Sequence, residues 1–87
     1  MLKITRAANE EVVFTVSGGL DAGNLIELKT LLTSEVSGLR MTLNLEELTQ
    51  VDRAAVGFLV RCESDGIRLK NCPAYVREWI TRERRQS

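Results

Sequence analysis

The stretch that decides the fold is residues 51–59, Val51-Asp52-Arg53-Ala54-Ala55-Val56-Gly57-Phe58-Leu59. It follows an alternating apolar run, residues 39–45, and a short loop that ends at Val51. The run predicts a strand, and Asp52 is a typical N-cap for the helix that comes next. The first turn of such a helix presents unpaired backbone N–H groups and the positive end of the helix dipole, where a phosphate or a protein partner can bind. No side chain between Asp52 and Gly57 has a hydroxyl or thiol, so this turn offers neither a phosphorylation site nor a nucleophile.

The helix that begins in this stretch is predicted to run from Arg53 to about Ser64 and to be stopped by Gly66. Its apolar positions form one broad stripe: Ala55, Val56, Phe58, Leu59 and Cys62. A glycine in mid-helix costs about 1 kcal/mol relative to alanine. We therefore expect Gly57 to mark close packing of this helix against the sheet.

Upstream, two short alternating runs predict an antiparallel hairpin, with a turn at residues 8–10 and an end to the second strand at Gly18-Gly19. Asp21 is then the predicted N-cap of a first helix, which Gly38 closes. The face of this helix that is predicted to be buried carries Leu25, Leu28, Leu32 and Val36.

Downstream, residues 67–70 predict a fourth strand, parallel to the third, because a strand, a helix and a strand in succession form a right-handed crossover. Asn71 and Pro73 open a third helix. Its apolar face carries Tyr75, Val76, Trp79 and Ile80. Tyr75 and Trp79 are either core residues or, where the last turns project beyond the sheet, an exposed interface for a partner or a homodimer.

Composition limits the function classes. The chain has 87 residues and no net charge, which predicts one domain, residues 1–87, without broad electrostatic binding of nucleic acid. It has no histidine, which excludes the usual general base and most zinc sites. We expect no metal and no cofactor. Of the two cysteines, Cys62 falls in a helical pattern, while Cys72 lies at a helix start, where a lowered thiol pKa is expected.

The ends of the chain suggest a location. No apolar run approaches the roughly 20 residues that a membrane span requires, and no signal-peptide core follows Met1. We expect a cytoplasmic protein. The arginines near the C-terminus are interpreted as a solvated helix end rather than as a nucleic-acid patch.

The order of elements resembles a STAS domain, the module of bacterial anti-sigma-factor antagonists and of sulfate-transporter tails. Three segments carry the resemblance: residues 16–21, similar to a strand that leaves through the family's Gly-x-Leu-Asp turn; residues 43–45, similar to its third strand; and residues 51–57, similar to its Asp-Ser-Ser-Gly-Leu-Gly switch loop. The resemblance implies an α/β fold with a mixed four-stranded sheet and about three helices mainly on one face. The family's last strand has no counterpart in this sequence, so the fold is either a trimmed version or one that recruits an edge strand from a neighbour.

In the antagonists, the switch loop is bound by a kinase of the anti-sigma class, which phosphorylates a serine just after the aspartate. Here Arg53 and Ala54 occupy the two serine positions, and Ala54 replaces the phosphorylated one. A hydroxyl-based switch is therefore excluded. The resemblance implies a partner-binding site at Asp52, Arg53, Ala54, Ala55 and Gly57, with Asp52 acting either as a cap alone or as a cap that also contacts the partner.

Three hypotheses follow. The first is a non-enzymatic regulatory module that docks constitutively on a protein partner, such as an anti-sigma-type kinase or a related regulator. The second is a sensor or transport-system subunit that binds a nucleotide, an anion or a lipid. The third, a thiol enzyme that uses Cys72, has the least support.

Overall fold

The computed structural model describes residues 2–35 and 38–86, except for the side chain of Gln86. These residues form five strands and three helices. In chain order they are β1 (Leu2–Ala8), β2 (Val12–Leu20), α1 (Leu25–Ser34), β3 (Met41–Asn44), β4 (Leu48–Val51), α2 (Arg53–Ser64), β5 (Arg68–Lys70) and α3 (Ala74–Gln86). The predicted α/β class with a mixed sheet and three helices is confirmed, but the sheet has five strands rather than the predicted four.

The sheet is organised around β2. The predicted hairpin is confirmed, because β1 pairs antiparallel with β2 from Leu2 opposite Gly18 to Ala8 opposite Val12. β3 and β4 both pair parallel with β2, β3 along its first half and β4 along its last three residues. Since β1 occupies one edge of β2, β3 and β4 follow one another along the opposite edge. β5 pairs parallel with β3, as predicted, and completes the order β1-β2-β3-β5.

The hydrophobic core lies between one face of the sheet and all three helices. Alternate residues of β2, namely Val12, Phe14 and Val16, are fully buried and define that face. Their cluster includes residues from each helix: Leu28 and Leu32 of α1; Ala55, Val56, Leu59 and Cys62 of α2; Val76 and Ile80 of α3. The intervening residues of β2 are only partly buried, and within residues 2–35 and 38–86 all three helices contribute to the core on the first face.

The prediction that β2 ends at Gly18-Gly19 was wrong, and so was the prediction of a loop over residues 46–51. β2 continues to Leu20, with a shift of register between Gly18 and Gly19, and β4 pairs with this extension. The glycines accommodate the shift because Gly18 adopts a φ of 88°, which side chains disfavour. Leu48 of β4 is buried in the core.

The first helix is shorter than predicted. α1 begins at Leu25 with Asn24, not Asp21, in the cap position, and it ends at Ser34 rather than near Gly38. Asp21 instead organises the preceding turn: its Oδ1 accepts hydrogen bonds from the backbone N–H groups of Gly23 and Asn24. Val36, predicted on the buried face, lies outside the described residues.

The second helix has the predicted bounds, and its C-terminus is a Schellman turn. Gly66 has a φ of 88°, and the Ile67 backbone N–H donates to the carbonyl of Cys62 at 2.9 Å. The explanation predicted for Gly57 was wrong, however. A Cβ added at Gly57 would meet no atom within 4 Å, so packing does not require a glycine there.

The third helix begins one residue after Pro73, whose carbonyl accepts the backbone N–H groups of Val76 and Arg77. The two aromatic residues of its apolar face have different environments. Trp79 is partly buried and packs against the core, whereas Tyr75 is 47% exposed. Of the predicted interface pair, only Tyr75 is largely exposed to solvent.

Candidate functional site

Asp52 organises the N-terminus of α2. Its Oδ1 accepts the backbone N–H of Ala55 at 2.9 Å, the bond of a helix N-cap. Its Oδ2 accepts the backbone N–H of Ala22 at 3.0 Å, in the turn that precedes α1. Donation from Ala22, and secondarily from Ala55, holds the pKa of the Asp52 carboxyl below its usual value because both N–H groups stabilise the ionised form. One carboxylate therefore connects the turns before α1 and α2.

The turn before α1 is itself fixed by side chains. The Asn24 amide donates to the carbonyl of Gly19 at 2.8 Å, and its Oδ1 accepts the backbone N–H of Asp21 at 2.8 Å. These bonds direct the Asn24 side chain back towards β2, which explains why Asn24 makes no side-chain cap on its own helix. The Ala22 N–H is consequently held in a defined position relative to Asp52.

The other residues predicted to bind a partner fall into two groups. Arg53 and Ala54 are exposed on the first turn of α2, and Gly57 is partly exposed one turn later. Ala55 is fully buried, so its side chain belongs to the core and is not available to a partner. This corrects the predicted site, to which Ala55 contributes only the backbone N–H that Asp52 accepts.

Arg53 is not simply solvated. Its Nε lies 3.6 Å from a carboxylate oxygen of Glu83 on α3, while its side chain remains 79% exposed. An ion pair this exposed contributes little to stability. The guanidinium can therefore exchange Glu83 for a carboxylate or phosphate on a ligand at small cost.

A groove runs between α1 and α2, beginning beside the residues just described. It has a volume of about 660 Å³, and Ala54 and Gly57 line it on the α2 side. Its apolar lining combines both helices with the sheet and the turn after α2: Leu25, Leu32, Met41, Phe58 and Ile67. Hereafter this feature is called the α1/α2 groove.

Charged side chains border the groove. Lys29 projects from α1 and Arg61 from α2, and neither forms an ion pair within residues 2–35 and 38–86. Asp65 lies near the C-terminal end of α2 on the same groove. Lys29 and Arg61 were not predicted as site residues because they are far apart along the chain. The sequence feature that could have indicated the groove is Gly57, a glycine inside a helix that was instead attributed to close packing.

The cysteines are poor nucleophiles. Burial raises the pKa of the Cys62 thiol to about 12, with a smaller contribution from Asp65. Burial also raises the pKa of Cys72, although Arg77 opposes the shift. The lowered pKa expected for Cys72 was therefore wrong, because desolvation outweighs the favourable charge of Arg77.

Neither a metal centre nor a membrane-spanning helix occurs in the part of the chain that the structure describes. No group of three or more histidine, cysteine, aspartate or glutamate residues there is arranged to hold a metal ion. None of the helices in that part has the length and apolar character needed to cross a membrane.

Comparison with known proteins identifies the fold. No protein-family model matches the chain, and no curated protein matches it. Among solved structures, it is similar to an uncharacterised protein of the DUF3478 family from Shewanella loihica PV-4, which has a SpoIIAA-like fold. The TM-score is 0.55 at 17% identity, over 98% of this chain and 78% of that one.

A second structural neighbour is the crystal structure of Mglu. The TM-score is 0.61 at 20% identity, over 85% of this chain, which matches only 19% of the length of Mglu. Identities this low establish the fold alone. The chain therefore has the SpoIIAA-like, or STAS, fold, and the predicted resemblance is confirmed at that level.

Proposed function

We propose that this protein is a non-enzymatic regulatory module that docks a protein partner through the N-terminus of α2. The observation that carries the proposal is the exposure of Arg53, Ala54 and Gly57 on one end of a helix whose position is fixed by Asp52. These four residues are hereafter called the docking face. A fixed, exposed surface requires little ordering when a partner binds, which favours affinity.

The partner class follows from the STAS resemblance. In the antagonists the equivalent loop is recognised by an anti-sigma-type kinase, and we propose a partner of that class or a related regulator, in the cytoplasm. Arg53 supplies a cation that a carboxylate or phosphate of the partner would pair with.

Docking is proposed to be constitutive. Ala54 is exposed at the position of the phosphorylated serine and has no hydroxyl. A phosphate added there would place about two negative charges in the interface, and its absence removes that means of release. The role therefore suits an assembly subunit or a constant antagonist rather than a phosphorylation switch.

The experiment is affinity capture of the tagged chain from its native host, compared with Arg53→Glu and Gly57→Trp. Arg82→Glu is the matched control, because Arg82 is an exposed arginine of α3 outside the docking face. We expect the wild type and Arg82→Glu to capture the same kinase-like or regulatory protein, and the two docking-face variants to lose it while remaining folded. Capture that survives both substitutions would place the partner site elsewhere.

A gain-of-function variant tests the missing switch. If the captured partner is a kinase, Ala54→Ser should become phosphorylated in the presence of ATP and Mg²⁺ and then release it. The wild type should gain no phosphate at this turn. Phosphorylation of the wild type within residues 52–57 would contradict the proposal.

A further inference from the structure

The α1/α2 groove has the features of a small-ligand site that adjoins the docking face. Its volume of about 660 Å³ lies in the range typical of small-molecule sites, about 300–1,000 Å³. Leu25, Met41, Phe58 and Ile67 contact the core but remain only partly buried. These side chains extend the core into the groove as a partly exposed apolar surface. The apolar part of a bound ligand could cover that surface.

Gly57 keeps this groove open. A glycine in the middle of α2 costs about 1 kcal/mol relative to alanine. No neighbour requires it, since an added Cβ meets no atom within 4 Å, and its φ is not positive. Because Gly57 has no side chain, it leaves space in the groove that a larger residue at this position would fill.

Charge indicates the chemistry of the occupant. Lys29 and Arg61 border the groove from the two helices, and neither has an ion-pair partner among the residues that the structure describes. Two cations above an apolar floor are complementary to an anionic head group on an aliphatic chain. Asp65, one turn beyond Arg61, disfavours an anion at the C-terminal end of α2, so the head group would lie between Lys29 and Arg61 rather than beyond them.

We propose that the α1/α2 groove binds a free fatty acid, with its carboxylate between Lys29 and Arg61 and its chain over Leu32, Met41 and Phe58. Ala54 and Gly57 belong both to the groove and to the docking face, so the bound ligand lies beside the partner site. Lys29 and Arg61 lie outside the docking face. Failure of this proposal is therefore distinguishable from failure of partner docking.

The test uses dodecanoate below its micelle-forming concentration, with dodecyltrimethylammonium as the oppositely charged probe. Calorimetry should give one dodecanoate per chain, and a ligand that binds only the native state should raise Tm. Amide chemical shifts should change mainly in α1 and α2. We expect no comparable binding of dodecyltrimethylammonium.

Variants separate the two parts of the site. The double substitution Lys29→Glu and Arg61→Glu should weaken dodecanoate binding by about tenfold or more, since two attractions become repulsions. Gly57→Trp should abolish it by filling the groove. Arg82→Glu with Arg85→Glu, the same charge change on α3, should leave it unchanged.

Other outcomes would overturn the proposal. They are the absence of dodecanoate binding, equal binding of the cationic probe, chemical-shift changes that spare the residues lining the groove, or affinity unchanged by the Lys29 and Arg61 reversal. If Gly57→Trp does not fold, the charge-reversal variant alone decides. A helical segment of a protein partner found in the groove in place of a fatty acid would also overturn it.

Discussion

Asp52 and Ala22 are joined by a hydrogen bond of 3.0 Å between the carboxylate and the backbone N–H, across thirty positions of sequence. The same carboxylate caps α2 through Ala55. The turn before α1 and the start of α2 are therefore positioned together, and the residues proposed to contact a partner share this support.

Asp52→Ala should destabilise the fold and increase hydrogen exchange locally. Both N–H groups lose their acceptor, and α2 loses its N-cap. We expect a Tm lower by several degrees and faster exchange at the Ala22 and Ala55 amides. Asp65→Ala, which removes an exposed carboxylate, is the control. Equal Tm values for the two variants would contradict the role given to Asp52.

The same hydrogen bonds predict a dependence of stability on pH. The pKa of Asp52 is lower in the folded chain than its ordinary value of 3.8, so on acidification the unfolded state binds the proton first. The stabilisation is complete above the ordinary pKa and is lost as pH falls through the folded pKa. The difference in unfolding free energy between the wild type and Asp52→Asn should therefore decrease as pH falls through this range. Urea titrations at a series of pH values measure that difference. A difference that does not change with pH would contradict it.

The fold was predictable from the sequence as far as local periodicity and capping carry information. Alternation identified β1, β2 and β3, and Asp52 with Gly66 delimited α2 correctly. The two errors in the sheet have one cause: a glycine pair that ends a strand in most contexts here lies inside one. β4 pairs with that extension of β2. A prediction that ended β2 at the glycine pair therefore also left β4 without a partner strand and assigned its residues to a loop.

The candidate site was predictable only in part. Asp52, Arg53 and Ala54 are consecutive in sequence, and the resemblance to the switch loop brought them together. Lys29 and Arg61 border one groove only because α1 and α2 both cover the same hydrophobic core and leave the groove between them. Likewise, the burial of Ala55 follows from tertiary packing, which no local motif encodes.

Two glycines allow a matched test of the α2 geometry. Gly57→Ala should raise the free energy of unfolding by about 1 kcal/mol, because helix propensity improves and the added Cβ meets no neighbour. Gly66→Ala also has open space but must adopt a φ of 88°, so it should lower that free energy by about 1 kcal/mol. Urea denaturation with an unchanged m-value measures both. If both substitutions raised, or both lowered, the free energy of unfolding, the backbone geometry described for Gly57 or for Gly66 would be contradicted.

The cysteines should differ in reactivity. Cys72 is partly exposed, whereas Cys62 is buried with a pKa raised to about 12. At pH 8, iodoacetamide should modify Cys72 slowly and Cys62 only in urea, as intact and peptide mass spectrometry can show. Because the folded pKa of Cys62 exceeds the ordinary value of 9.0, its stabilisation should be lost as pH rises from about 9 to 12. Rapid modification of Cys62 in the native protein would contradict its burial.

The central claim, a constitutive docking face at the start of α2, is tested most directly by measuring the Kd of the purified captured partner. Wild type, Arg53→Glu and the Arg82→Glu control should be compared by calorimetry, with and without ATP and Mg²⁺. We predict that Arg53→Glu weakens binding by about tenfold or more, since an interfacial attraction becomes a repulsion. Arg82→Glu should retain the wild-type Kd, and phosphorylation of this turn should not occur. Equal Kd values for wild type and Arg53→Glu would contradict the account.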